Sequence, residues 1–542
     1  MSAARSGRPG PRRRVVAGVL LGAAASLAGP LAAQEARPAM RPRTLAEDMT
    51  MFSQVLSQLR LNHPDSLDTH ALMIAAIEGM LGAADPHSYV VVAARVDAAR
   101  EKAFREGKLY PVPISFSFAG GSPVVVSVRA GTAAARADIL PGDELVAVDG
   151  QPVREENAEA LDLALAGEKK SPVVLTLERR RADGALVQLQ RRVLRERGRD
   201  ASSVPTAFLL DAETGYLRIT DFDNDRAADE VHDAIGTLQR RGMRRLVLDL
   251  RDNGGGIVTE AAKVAGEFLP AGTLLYTMGG RRPDLADTGR VGRSFWSRER
   301  RFPVVVLVNA GTASAAELVA GALQDHDRAV IVGRPTFGKA LVMRGFPLAD
   351  GSVAMMVVGH ARTPCGRLVQ RSYRNVARHD YYRLSRAQRD TAGRPSCRTA
   401  NGRTVYGGGG VYPDVVLPVT APPPDWLAQV AESDLLVQWA GGHVSEAGAA
   451  YASADALADR PALAAGGLAS FRALAQRQGL AIPEGAEVDA RLERALVRQV
   501  AYTKFGDPGY YRVAAATDGA VREAVGAFAN AEGILKLAGT ER

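Results

Sequence analysis

Between Gly215 and Gly333, four short apolar runs (YLRIT, RRLVLDLR, VVVLVN and AVIVG) alternate with stretches of helical period, and no other feature restricts the fold of this chain as much. Strands that alternate with helices pack as a sheet covered by helices, a layered α/β core. The spacing predicts helices over residues 227–240, over residues 260–269, and through Leu323 after the third strand. In such folds ligands sit beyond the C-terminal ends of the strands, so active residues are sought there.

The rest of the chain has other textures. At 542 residues it is several times a typical domain of about 100–200 residues. With 46% hydrophobic and 24% charged residues it is globular in composition. The formal charge of +8 owes five units to Arg5, Arg8, Arg12, Arg13 and Arg14; without them it is 8 − 5 = +3, which removes the case for a nucleic-acid partner. The uncharged run at residues 15–33 follows those arginines and ends in small residues, the order of a secretory leader spanning residues 1–33. The run is also just long enough for one weakly apolar membrane anchor. Membrane association through an uncleaved leader therefore stays open, as does a homo-oligomer.

Residues 44–106 read as a helical N-terminal region, with Met51, Val55, Leu59 and Leu61 near the period of one buried face. Residues 107–196 turn to short β-branched runs with a hairpin at Asp149-Gly150, a small β-rich module. Residues 211–420 hold the α/β core, interrupted at 371–405 by an arginine-rich, poorly periodic surface insertion. Residues 424–542 are alanine-rich and helical, with a break expected at 504–511. Two cysteines, Cys365 and Cys397, allow one disulfide and no cysteine-rich metal site; whether they pair stays open. The eight histidines form no H-E-x-x-H or close cluster. No cofactor or metal is expected.

Two strand ends carry chemistry. In LVLDLRDNGGG the strand runs into Asn253-Gly254-Gly255-Gly256 before a helix, a turn whose exposed N–H groups suit an anion or oxyanion. The G-x-G-x-x-G spacing of a dinucleotide fold is missing. In VVVLVNAGTASAAE, Ser314 opens a helix, and Ser314 with Glu317 also spells an ordinary capping box. The G-x-S-x-G elbow of the α/β hydrolases is absent. Twenty-five residues beyond Ser314, the loop RPTFGKALV carries Lys339.

The blocks DLRDNGGG, NAGTASAAELVAGALQDH, VGRPTFGKALV and TPCGRLVQ resemble, in order, those of the carboxyl-terminal-processing (tail-specific) serine peptidases. ADPHS at residues 84–88 and LPGDELVAVDGQPV at residues 140–153, which resembles the core of a PDZ domain, fit the same family. The resemblance covers roughly residues 44–418. It implies a multidomain α/β protein: a layered α/β peptidase core of crotonase-like type, a small β-rich PDZ-like domain, and helical N- and C-terminal regions. It further implies an exported serine endopeptidase of the periplasm or cell envelope, acting on the C-terminal regions of polypeptides.

Carried over by motif, Ser314 is the nucleophile and Lys339 its general base, with the backbone N–H groups of Gly255 and Ala315 holding the oxyanion. A lysine does this only as a neutral amine, which needs burial or neighbouring positive charge; Phe337 and Val342 flank it. The family's orienting glutamine, four residues after the lysine, is replaced by Met343, whose thioether is a poor acceptor. Gln324 and His360 are candidates to substitute. Gly254 stands for the family's proline and Ala340 for its glycine. The stretch LYPVPISF, where a PDZ domain has its carboxylate loop, carries Pro111 and Pro113, which have no N–H to donate. Alternative readings are a catalytically weakened peptide-binding scaffold and, because of the glycine oxyanion turn, a crotonase-like acyl-CoA enzyme, which the leader argues against.

Overall fold

The computed structural model describes residues 44–92, 98–105, 108–117, 123–128, 134, 137, 139, 143–155, 158–180, 186–196, 202–292, 300–374, 381, 393–418, 423–432 and 435–540. The leader read at residues 1–33 lies outside these. So do residues 140–142 of the PDZ-like motif, and 375–380 and 382–392 of the insertion.

The chain divides into two units after Leu72. In the first, helix Leu45–Asn62 opens with a capping box: the Glu47 N–H donates to the Thr44 hydroxyl at 3.3 Å, and the Thr44 N–H donates to the Glu47 carboxylate at 2.8 Å. The face expected to be buried is not. Met51, Val55, Leu59 and Leu61 are 47%, 56%, 38% and 78% exposed. Helical period specifies an apolar stripe, but nothing in the stripe itself supplies a surface to cover it.

The second unit, residues 73–542, holds the remaining architecture. The helical expectation for residues 44–106 also fails at Tyr89–Val91, a strand paired antiparallel with Val353–Arg362. The β-rich module is a sheet in the order Ile114–Ser117, Val124–Val128, Glu144–Val148, Pro172–Arg180, Leu186–Leu194, with helix Ala158–Leu165 against it. Val125, Leu145, Leu161, Leu175 and Leu177 form its own core.

The α/β core is a six-stranded sheet in the order Val415–Val416, Val330–Gly333, Val304–Val308, Arg245–Asp249, Thr214–Arg218, Thr206–Leu209. All neighbours are parallel except the last pair, a hairpin. Every residue of Val304–Val308 is buried, as a strand covered on both faces requires. Val304, Val306 and Val308 turn to one side, with Val231, Ile235, Val264, Leu318 and Ala322 of helices Ala227–Arg240, Val258–Gly266 and Ala315–Asp325. Val305 and Leu307 turn to the other, where Val521, Ala524, Phe528 and Ile534 of helices Gly519–Gly526 and Phe528–Thr540 cover them. The chain's own C-terminus therefore closes the second face. Alternate strand residues point to opposite faces, so one apolar run serves both cores.

The preceding C-terminal helices have a separate core around Trp439, Phe471, Leu492 and Leu496. The break expected at 504–511 falls inside helix Ala486–Ala516, where Gly506 takes φ 67° and Pro508 follows. Proline removes a helical N–H and clashes with the preceding turn, and glycine tolerates the positive φ. Cys365 and Cys397 are joined in a disulfide.

Candidate active site

Both strand ends named by the sequence lie side by side on the central strands. Asp249 and Leu307 are register partners, so the turns that leave these strands meet. Ala313 N–H donates to Asn253 O at 2.8 Å, and Asp252 N–H donates to Asn309 Oδ1 at 2.9 Å, which stitches one turn to the other. Gly255, at φ 102°, packs so closely that a Cβ there would stand 2.7 Å from Ser314 Cβ and 2.9 Å from Ala315 N. Only glycine allows this approach at this φ.

Ser314 has φ 55° and ψ −120°, a sparsely populated conformation that costs a non-glycine residue about 1–3 kcal/mol. Sequence reading found no G-x-S-x-G elbow, yet a strained strand-to-helix turn is present, built from Thr312, Ala313 and Ser314. Its signal in the sequence is the run of small residues after a buried strand. The Thr312 hydroxyl donates to Leu250 O at 2.8 Å and accepts Asn309 N–H at 3.0 Å, fixing the turn from beneath.

Ala315 N–H, at the first helical position, has no helical acceptor and sits at the positive end of the helix dipole. Gly255 N–H donates to Asn253 Oδ1 at 2.9 Å, while Asn253 Nδ2 donates to Ile219 O at 3.1 Å. Of the two donors named from the sequence, Gly255 is thus engaged with its neighbour and Ala315 is not held within its helix.

Glu317 does more than cap the helix. Its fully buried carboxylate accepts N–H groups from Ser314 at 3.0 Å, Gly338 at 2.8 Å and Lys339 at 2.7 Å, and the Thr336 hydroxyl. Burial pushes this carboxyl above its ordinary range, against the pull of those donors. One side chain therefore ties the main chain of Ser314 to that of Lys339. A serine-to-glutamate spacing of three reads as a cap, and nothing local announces the second loop.

The loop carrying Lys339 is held on its other side by Gln370, whose Oε1 accepts Ala340 N–H at 2.8 Å. Gln370 Nε2 donates to the Tyr381 hydroxyl at 3.0 Å, and His87 of ADPHS meets the same hydroxyl through Nε2 at 3.1 Å. Phe337 carries the Arg371 guanidinium on its ring at 4.8 Å. Gln370 was not singled out by sequence reading. Of the residues that were, Gln324 gives its Nε2 to Tyr412 O at 2.8 Å and to Asp414 at 3.2 Å, near the far end of its helix. His360 lies opposite Leu341 in the adjacent strand, its imidazole held below the ordinary range by burial and by Arg362. Met343 is half-buried and pairs with Val357 where the register slips by one residue. Among the described residues no cluster of three or more His, Cys, Asp or Glu could hold a metal ion.

In the β-rich module, the stretch corresponding to a carboxylate loop is already committed. Tyr110 N–H donates to Gly167 O at 2.7 Å and Ile114 N–H to Val112 O at 2.8 Å, Pro111 and Pro113 have none, and Val112 is buried in the module's core.

Residues 213–377 match the model of peptidase family S41, and residues 124–179 match that of a PDZ domain. Over 333 residues the chain is 29% identical to a carboxy-terminal-processing protease of Bartonella bacilliformis, covering 60% of this chain and 73% of that one. Over 254 residues it is 34% identical to the chloroplastic carboxyl-terminal-processing peptidase 2 of Arabidopsis thaliana, covering 44% and 46%. A solved photosystem II D1 C-terminal processing protease is 26% identical, covering 71% of this chain and 90% of that chain at a TM-score of 0.35. Matched on its α/β core at residues 213–377 and on its β-rich module at residues 124–179, the chain carries a serine-peptidase domain of family S41 and a PDZ domain, and it is similar to carboxy-terminal-processing proteases.

Proposed function

We propose that this chain is an exported endopeptidase of the periplasm or cell envelope that cleaves polypeptides near their C-termini with a Ser314–Lys339 dyad. The observation that carries the reading is the shared carboxylate of Glu317, which accepts backbone N–H groups from both Ser314 and Lys339. In this reading the neutral Lys339 amine takes the Ser314 hydroxyl proton as Oγ attacks the scissile carbonyl, and an acyl-enzyme forms as the Lys339 ammonium gives that proton to the departing amine, which leaves Lys339 neutral again. Ala315 N–H meets the developing oxyanion, joined by Gly255 N–H once it turns from Asn253 Oδ1. Water then attacks the ester with Lys339 again as base.

Domain limits follow the same reading: a peptidase core at residues 211–420 with an insertion at 371–405, a PDZ-like domain at 107–196, and a helical region at 424–542. Export is supported by the basic-then-apolar order of residues 1–33; among the described residues no helix is long and apolar enough to cross a membrane. The committed backbone at 109–114 favours a PDZ-like spacer that positions the neighbouring peptidase core over a domain that captures a terminal carboxylate.

The test is cleavage of a reduced, unfolded protein by the wild type and by Ser314→Ala. The variant is expected to be inactive while losing no more than about 1 kcal/mol of stability from the helix cap. Unchanged turnover in the variant would dismiss Ser314 as the nucleophile, and no cleavage by either protein would leave a peptide-binding scaffold.

A further inference from the structure

Behind the glycine turn lies a cluster of charges that the C-terminal helices complete. Asp249 ends its strand fully buried, and its carboxylate accepts the Tyr216 hydroxyl at 2.6 Å, Arg218 Nη1 at 3.0 Å and Arg251 Nη2 at 2.6 Å. Two guanidinium groups share that one buried carboxylate, with side chains only 10% and 18% exposed. The second counter-charge comes from 267 residues away: Asp518 Oδ2 accepts Arg251 Nη1 at 2.7 Å. Asp252 also approaches Arg218, at 3.8 Å, but is 69% exposed and is weakly coupled there.

Arg218 Nη2 in turn donates to Arg251 O at 2.8 Å, fixing the main chain where the glycine turn begins. The face of Tyr511 lies 4.9 Å from the Arg218 guanidinium, the geometry of a cation–π contact. Tyr511 and Asp518 both follow the kink at Gly506 in helix Ala486–Ala516. Asp518 has a second duty as the N-cap of helix Gly519–Gly526, its Oδ1 accepting Ala520 N–H at 2.8 Å.

We propose that Asp518 is a positioning residue of the peptidase site: with Tyr511 it holds Arg251 and Arg218, and through them the turn at residues 251–256 that faces Ser314. The C-terminal helices, which lie beyond the matched family segment at 213–377, are then part of the catalytic assembly. This rests on the Ser314–Lys339 reading above.

Asp518→Asn separates the two duties of the side chain, because asparagine caps a helix about as well as aspartate but carries no charge for Arg251. The full chain is assayed as wild type, Asp518→Asn, Tyr511→Leu and Ser314→Ala, with kcat, KM and urea denaturation measured for each. Asp518→Asn is expected to lower kcat about tenfold, as a small misplacement of catalytic groups does, with KM and the denaturation midpoint unchanged; Tyr511→Leu is expected to lower kcat in the same way. An inactive Ser314→Ala beside an Asp518→Asn of wild-type kcat overturns this inference alone. So does a fall in kcat that merely tracks a lost folded fraction. A Ser314→Ala that still cleaves overturns the dyad reading instead.

Discussion

On the proposed Ser314–Lys339 reading, Met343 stands where the resemblance places an orienting glutamine, in a strand whose pairing slips by one residue at that point. The loop it follows is not slack, since Glu317 and Gln370 hold the main chain of Lys339 and Ala340. What a thioether withholds is a good acceptor for the lysine amine itself. Installing the amide should therefore position Nζ. Met343→Gln is expected to raise kcat, by a gain within the roughly 100-fold that misplacement can cost, and to leave the melting temperature little changed at this half-buried site. A fall in both would mean that another acceptor already serves and that the amide was buried unpartnered. Ser314 and Lys339 could be named as candidates because the motif blocks that carry them, each following an apolar strand, resemble those of the carboxyl-terminal-processing peptidases. Gln370 could not, because its partner Ala340 is 30 residues away and offers only a backbone N–H.

Helix Ala315–Asp325 shows what local pattern reveals and what it conceals. Its start was legible, since Ser314 and Glu317 spell a capping box and Glu317 does accept Ser314 N–H. The reach of Glu317 to Gly338 and Lys339, 21 and 22 residues on, was not. Glu317→Gln tests that reach. Each carboxylate oxygen accepts two donors, so an amide NH2 placed at either one opposes two donors. The expected cost is roughly 1–3 kcal/mol of stability for an unsatisfied buried group, with a cleavage rate lowered beyond the loss of folded protein; unchanged stability and rate would show that the carboxylate does not organise the two loops. Elsewhere, helix Ala227–Arg240 matches its expected span, and the helix expected at 260–269 runs from Val258 to Gly266. The stripe on Leu45–Asn62 shows the limit, because period fixes which residues share a face and leaves its burial to other parts of the molecule.

At the scale of the molecule, the apolar strands announced a layered core, and the sheet has it. The alternation of helices with strands suggested the layers but left open which segment covers the second face, because alanine-rich helices beyond residue 424 carry no mark of their docking place. Phe528, 2% exposed against that face, contributes about 1.5–3 kcal/mol by burial alone. Strand ends, glycine turn, lysine loop and C-terminal helices thus converge on one turn, and the central claim is that its serine is made nucleophilic by Lys339. The most direct measurement is covalent labelling by a fluorophosphonate, located by mass spectrometry in the wild type and in Lys339→Arg, whose guanidinium stays protonated to above about pH 12 and cannot serve as a base. The account expects label on Ser314 in the wild type and little or none in Lys339→Arg. Label on another residue, or equal labelling of Ser314 in the arginine variant, would contradict it.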